Sequence, residues 1–259
     1  MIDTPTTPAH DQVSWQHERV DGCLVATPVG PLTSLTYRDF RDMLVKFAID
    51  TPRAVIVPID GLDVPSLPAL TAFPSAALRV SDWPGVAIMI VTSRPDRFAT
   101  SGEAAIRRFV PVFQDVAAAV AAVGDAPDRR RAVLDLDHDL FSARRARLFV
   151  RSVCGRWQIG DLSSDAEQIA TELVENAVAH TTSQPRLRLE LRSGLFTIAV
   201  SDDSAREAVV REKIEGVRAG GGLRIVADRA KVWGSSPRLG GGKVVWAVLR
   251  ASGPTIRLR

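Results

Sequence analysis

The sequence predicts an α/β protein of two domains: a first half of strands alternating with helices, and a second half of helices, a hairpin and further strands. Three observations lead there. From about residue 14 to 124, short β-branched runs alternate with apolar segments of helical period. A turn-rich break, Gly124-Asp125-Ala126-Pro127-Asp128, then interrupts the pattern. The 259 residues are enough for two ordinary domains.

Composition narrows the field further. With 46% hydrophobic and 24% charged residues the chain sits in the globular range, which excludes disordered, collagen-like and disulfide-scaffold classes. No apolar run approaches the roughly 18 residues of a membrane span. The start, MIDTPTTPAHD, lacks a basic region followed by an apolar one, so a cytoplasmic location is expected. Cys23 and Cys154 stand far apart without neighbouring Cys or His at metal-ligand spacing and read as packed thiols. The net charge of +3 is a sum of unlike halves, −3 over residues 1–124 and +6 over 125–259.

In chain order, residues 1–13 read as a disordered leader. Strands fill Ser14 to about Val29, clearest over Cys23 to Thr27. A helix follows from Thr36 to Ile49, with Phe40, Met43, Leu44 and Phe47 at spacings of three and four. Arg53 to Ile59 and Val86 to Val91 are buried strands, and Pro65 to Val80 between them is a helix opened by proline. Arg107 to Val123 reads as an Ala-rich amphipathic helix that closes the first domain, residues 14–124. The basic triplet Arg129 to Arg131 reads as solvated linker within residues 125–131.

The second domain, residues 132–252 with a short tail after it, opens on a strand, Ala132 to Leu136. A helix from Ser142 to Trp157 has Ser142 as N-cap. The next starts near Ser164, with Glu167 completing a capping box, and runs to His180. Leu187, Leu189 and Leu191 alternate with charged residues, and Phe196, Ile198 and Val200 continue the alternation beyond Ser193-Gly194, a hairpin with one buried face. A long polar stretch, Asp203 to Ala219, has the length of a functional lid. A short helix, Leu223 to Arg229, and two strands, Ala230 to Ser235 and Lys243 to Arg250, complete the domain.

Four clusters in this half carry chemistry. In ELVENAVAH, Glu172, Asn176 and His180 recur every fourth residue and form one polar stripe beside the apolar stripe of Ile169, Leu173 and Ala177. Asn is a poor mid-helix residue, and its amide oxygen is a suitable Mg²⁺ ligand when phosphates and water complete the shell. In VSDDS, Asp202 and Asp203 end a strand, where acids commonly form turns but can also accept from an exocyclic amine. Gly220-Gly221-Gly222 before Leu223 lets backbone N–H groups approach an anion. Gly240-Gly241-Gly242-Lys243-Val244 is a glycine turn into the final strand.

The order ELVENAVAH, VSDDS, GGGLRIV and GGKVVW resembles the motifs of the GHKL (Bergerat) ATP-binding fold, and most closely its anti-sigma factor serine kinase branch, over residues 132–250. The resemblance implies that this half is an α/β sandwich, a mixed sheet packed on helices, with ATP and Mg²⁺ as cofactors. It implies that Glu172 is the general base toward a serine hydroxyl and that Asn176 is the metal ligand. Asp202 would bind the adenine amine, and Ser204, Gly220, Gly222, Leu223 and Lys243 would line the nucleotide site under a lid of residues 203–219. Val244 stands where the family often has Thr, whose absent hydroxyl would weaken ATP binding by about 1 kcal/mol. No G-x-x-x-x-G-K-[ST] is present, which argues against a P-loop.

The first half resembles the STAS fold of anti-sigma factor antagonists over residues 14–123. Aligned on Asp63, the antagonists' Ser/Thr, phosphorylated Ser and Gly fall on Val64, Pro65 and Ser66, so the usual phosphoacceptor hydroxyl is missing, and Ser66 reads as a helix-start residue. The implied function is an ATP-dependent protein serine kinase that binds a sigma factor or phosphorylates a STAS-type antagonist, with its own STAS half as a regulatory or docking module. That half would contact the kinase half intramolecularly, as the opposite charges suggest, and the branch commonly pairs kinase domains into a homodimer. The alternative is a catalytically silent ATP-binding adaptor that sequesters a regulator. A sensor histidine kinase is disfavoured, because no helical hairpin with a phosphoacceptor His precedes residue 132 and His138 sits in the acidic LDLDHDL. With only four lysines in the whole chain and few aromatics, a basic surface here suits an acidic protein partner better than nucleic acid.

Overall fold

A computed structural model describes residues 12–94, 106–123, 129–204 and 222–251. The expected leader, most of the lid, Gly220 and the tail lie outside these residues. The chain divides into two compact units, Met1–Ala126 and Pro127–Arg259. Both are α/β.

In the first unit, β1 (Ser14–Val20) and β2 (Cys23–Pro31) form an antiparallel hairpin. Its two-residue turn, Asp21-Gly22, takes φ of 47° and 75°, the left-handed pair that Asp-Gly accommodates and that matches the strands' twist. β3 (Ala54–Pro58), β5 (Ala87–Val91) and β6 (Val112–Phe113) extend β2 in parallel, giving the order β1-β2-β3-β5-β6, with the two-residue β4 (Leu62–Asp63) beside the end of β2. Parallel neighbours require crossovers. They are supplied by α1 (Tyr37–Ile49) and by a 3₁₀ turn, Leu67–Thr71, leading into α2 (Ala72–Ser81). Phe40, Phe47 and Phe73 are fully buried, and Phe40 meets Trp15 and Phe73 at ring separations of 4.9 and 5.2 Å. A second cluster, Cys23, Val25, Ala54, Ile56, Met89 and Val91, packs on Ala119 of α3 (Val116–Ala122).

The expected continuous helix from Arg107 to Val123 is not formed. Pro111 lacks the N–H a helix interior needs, the chain extends into β6, and α3 restarts where the Asp115 carboxylate accepts from Ala118 N–H at 2.7 Å. Asp115→Ala should therefore destabilise the first unit by about 1 kcal/mol in urea unfolding. The helix expected over Pro65–Val80 likewise begins later, as a 3₁₀ turn with proline in its first positions.

The second unit holds a five-stranded sheet, β10-β11-β9-β8-β7, made of β7 (Arg129–Asp135), β8 (Arg186–Arg192), β9 (Leu195–Asp202), β10 (Val232–Pro237) and β11 (Lys243–Arg250). All four pairings are antiparallel, so the mixed sheet expected here is found in the first unit instead. On one face lie α4 (Ser142–Trp157), α5 (Ser163–His180) and α6 (Gly222–Arg229). Val150, Val153, Ile169, Leu173 and Ala177 from the helices meet Leu187, Leu189, Phe196, Ile198, Val200, Val245 and Ala247 from the strands in one core.

Arg129 to Arg131 are not linker. They are the first residues of β7, in register with Arg192, Leu191 and Glu190. Glu190, expected on an exposed polar face, is 4% exposed, with Arg129 Nε 2.9 Å from Oε1 and Arg131 Nη2 3.2 Å from Oε2. A carboxylate can be buried there because two guanidiniums replace its water. Both cysteines are buried and free, and burial pushes the Cys154 thiol up to about 11, as packed thiols require.

Candidate functional site

The stripe singled out in the sequence lies on α5, and its neighbours hold that helix firmly. Ser163, not Ser164, is the first residue, and its hydroxyl donates to Glu167 Oε1 at 2.8 Å. The helix thus starts two residues earlier than a capping box with Ser164 as N-cap implies. Arg151 of α4 grips Glu167 through Nε and Nη2, at 3.1 and 2.6 Å, and this pairing holds the Glu167 carboxyl below its usual range. Arg147 donates to Thr171 at 3.2 Å, and Arg229 of α6 pairs with Asp165. At the other end His138 Nε2 lies 2.9 Å from the Val178 carbonyl and 2.7 Å from that of Thr181. These contacts tie that ring nitrogen to the end of α5, a structural role. Ser142, expected as an N-cap, is the first residue inside α4, and its hydroxyl donates to the Asp137 carbonyl.

Along α5, Leu173 and Ala177 face the core while Glu172 and Asn176 are half-buried and His180 is exposed. No described residue hydrogen-bonds the Glu172 carboxyl, whose pKa is raised by desolvation first and by the Glu175 charge second. That combination is what a general base requires: a carboxylate poor in partners and therefore proton-hungry.

Asp202 ends β9 on the face that carries Phe196, Ile198 and Val200, the face covered by α5. It is 3% exposed, and Lys243, its register partner on β11, is 5% exposed. Lys243 Nζ donates to Asp202 Oδ1 at 2.8 Å, and the Ser204 N–H donates to the same oxygen, also at 2.8 Å. Ser204 thus contributes its backbone. No described residue donates to Oδ2. The next turn is fixed too: Ser183 accepts from the Asp203 N–H at 3.1 Å, a contact the sequence did not suggest.

Strand alternation places Lys243 and Val244 on opposite faces of β11. Val245 and Ala247 point into the helix-covered core, so Lys243 shares their face and Val244 takes the opposite one. A hydroxyl at position 244 would therefore lie on the face of β11 opposite the Asp202 side chain. The neighbour of that carboxylate is Lys243, which the sequence placed in the site without a role.

In its chemistry the set would suit an adenine nucleotide with Mg²⁺: a carboxylate oxygen with no donor among the described residues, an amide on α5, and the half-buried Glu172 carboxyl one turn away. Among the described residues no cluster of three His, Cys, Asp or Glu could hold a metal alone, so a cation here would depend on the phosphates of its nucleotide. Gly222 and Leu223 open α6, and Leu223 packs in the core. No described helix is long and apolar enough to cross a membrane.

No protein-family model matches the sequence, and no curated protein does. Among solved structures, the chain is similar to an anti-sigma factor antagonist from Mycobacterium paratuberculosis, at 17% identity and a TM-score of 0.38, over 46% of this chain and 100% of that one. It is also similar to the protein TM1081, at 12% identity and a TM-score of 0.32, over 48% of this chain and 99% of that one. A third is an uncharacterized protein with a SpoIIAA-like fold from Shewanella loihica PV-4, at 21% identity and a TM-score of 0.28, over 46% and 99% of the two chains.

Proposed function

We propose that this protein is a regulator of the anti-sigma type, whose second unit binds ATP with Mg²⁺ and transfers phosphate to serine on a partner protein. The observation that carries the reading is the half-buried Glu172 carboxyl, without a hydrogen-bond partner among the described residues and with a raised pKa, on a helix that packs over the strand ending in Asp202. Glu172 would take the proton of the attacking serine hydroxyl as its oxygen bonds to the γ-phosphorus, the bond from that phosphorus to the β–γ bridging oxygen breaks, and ADP leaves. Asn176, one turn on, offers its amide oxygen to the metal, and Asp202 accepts from the base. Bound nucleotide supplies the phosphoryl group, and most of the work left to the protein is positioning.

The first unit is read as a STAS-like docking module. Ser66 is exposed, in extended backbone ahead of the 3₁₀ turn, and makes no cap hydrogen bond, while Pro65 has no hydroxyl to phosphorylate. The partner is a sigma factor or a separate antagonist protein that keeps its serine.

Calorimetry with ATP, with and without Mg²⁺, tests the site. The wild-type protein should bind the nucleotide more tightly with the metal, and Asn176→Ala should erase that difference. Absence of metal-dependent nucleotide binding would reject the assignment. Metal-dependent binding without transfer to any antagonist would select the adaptor reading.

A further inference from the structure

The contact between Lys243 and Asp202 asks for more than a packing explanation. Both side chains are almost wholly buried, and a buried ammonium and carboxylate are retained at a cost in desolvation that an apolar pair would avoid. The two donors on the Asp202 carboxylate, Lys243 Nζ and Ser204 N–H, converge on a single oxygen. Oδ1 is therefore committed, the carboxylate plane is fixed from two directions, and among the described residues nothing donates to Oδ2, which is left as the acceptor. The donors come from different elements, β11 and the chain after β9, so neither end of the arrangement depends on the other's loop.

We propose that Lys243 is a positioning residue that sets base selectivity: by holding Oδ1 of Asp202 together with the Ser204 N–H, it presents Oδ2 to the exocyclic amine of a 6-aminopurine. The inference rests on the nucleotide-binding reading of the second unit. It assigns the discrimination between purines to a residue that touches only the carboxylate. A site whose acceptor is pre-aimed rejects a base bearing an oxygen at the same place, because two acceptors then face each other without a proton between them.

The test uses the full-length protein and two probes, MgATP and MgITP, which differ at position 6 of the base by amine against carbonyl. The wild-type protein should prefer MgATP by about tenfold or more, as expected when a buried acceptor would be left unpaired. Lys243→Met should reduce the preference to within about threefold, because the carboxylate loses both its counter-ion and the donor that aims Oδ2. Lys243→Arg should restore part of the preference, a rescue that a merely structural role would not give for base selectivity alone. If Lys243→Met fails to fold in a thermal melt, the neutral pair Asp202→Asn/Lys243→Met replaces it, and it should bind both nucleotides without preferring MgATP. Full MgATP preference in either folded variant would overturn the inference. A wild-type protein that binds both nucleotides equally would also overturn it, leaving the nucleotide site intact. One that binds neither would overturn the nucleotide reading and the inference together.

Discussion

Glu172→Gln is expected to lower phosphoryl transfer to serine by about 10²- to 10⁴-fold, the usual contribution of a positioned general base, while MgATP binding persists. The amide keeps the shape of the side chain and removes only its ability to take a proton. Stability provides an independent check. The Glu172 pKa is raised in the folded protein, so between the ordinary glutamate value and the raised one the unfolded chain has released its proton and the folded chain has not. Stability therefore falls as pH rises through that window, and at neutral pH the full penalty of the half-buried charge is present. Glu172→Gln should melt at a higher temperature than the wild type at pH 7, and this advantage should vanish near pH ~3.5, where both states are protonated. Transfer at the wild-type rate would discard Glu172 as the base, and a constant difference in melting temperature would discard the environment assigned to it.

Gly242→Ala is expected to destabilise the second unit by about 3–5 kcal/mol, combining a left-handed backbone penalty with overpacking. Gly242 has φ of +75°, and a Cβ there would stand 2.1 Å from the Asp202 carbonyl oxygen and 2.8 Å from Asp203 Cα. These are backbone atoms and cannot swing aside. Gly240 makes the control, since a Cβ on it would meet nothing within 4 Å, and Gly240→Ala should stay within about 0.5 kcal/mol of the wild type. Urea unfolding of both variants decides the matter, and a Gly242→Ala protein as stable as the control would mean that β11 can start elsewhere. Of the three glycines in this turn, the last is the one on which the approach of β11 to Asp202 depends.

The pattern of elements was legible where the period was long and uninterrupted. Phe40, Leu44 and Phe47 marked α1, and the alternation from Leu187 to Val200 marked β8 and β9, because each repeats one geometry over several turns or residue pairs. Reading failed where tertiary partners outweigh local pattern. Three consecutive arginines look like a solvated run, yet Glu190, 59 residues from Arg131, draws them into a strand. The Ala-rich stretch after residue 115 is helical, but Pro111 and the capping Asp115 divide it from what precedes. In the candidate site, the shared face of Glu172 and Asn176 was legible from spacing alone, since a four-residue repeat fixes a helix face. The role of Lys243 was not, because it follows from which face of β11 the residue occupies, and that depends on register.

Register also gives the charge pair a second consequence, during assembly rather than in the finished protein. A one-residue slip of β11 along β9 would turn Lys243 to the opposite face and bring Val244 inward; a slip of two would keep the faces but set Lys243 against Val200 or Ser204. Each leaves a buried charge without its counter-ion, so among the ways this long apolar strand could dock, from Val244 to Leu249, one is strongly favoured. The pair thus works as an alignment pin for a strand whose hydrophobic run alone would tolerate several positions.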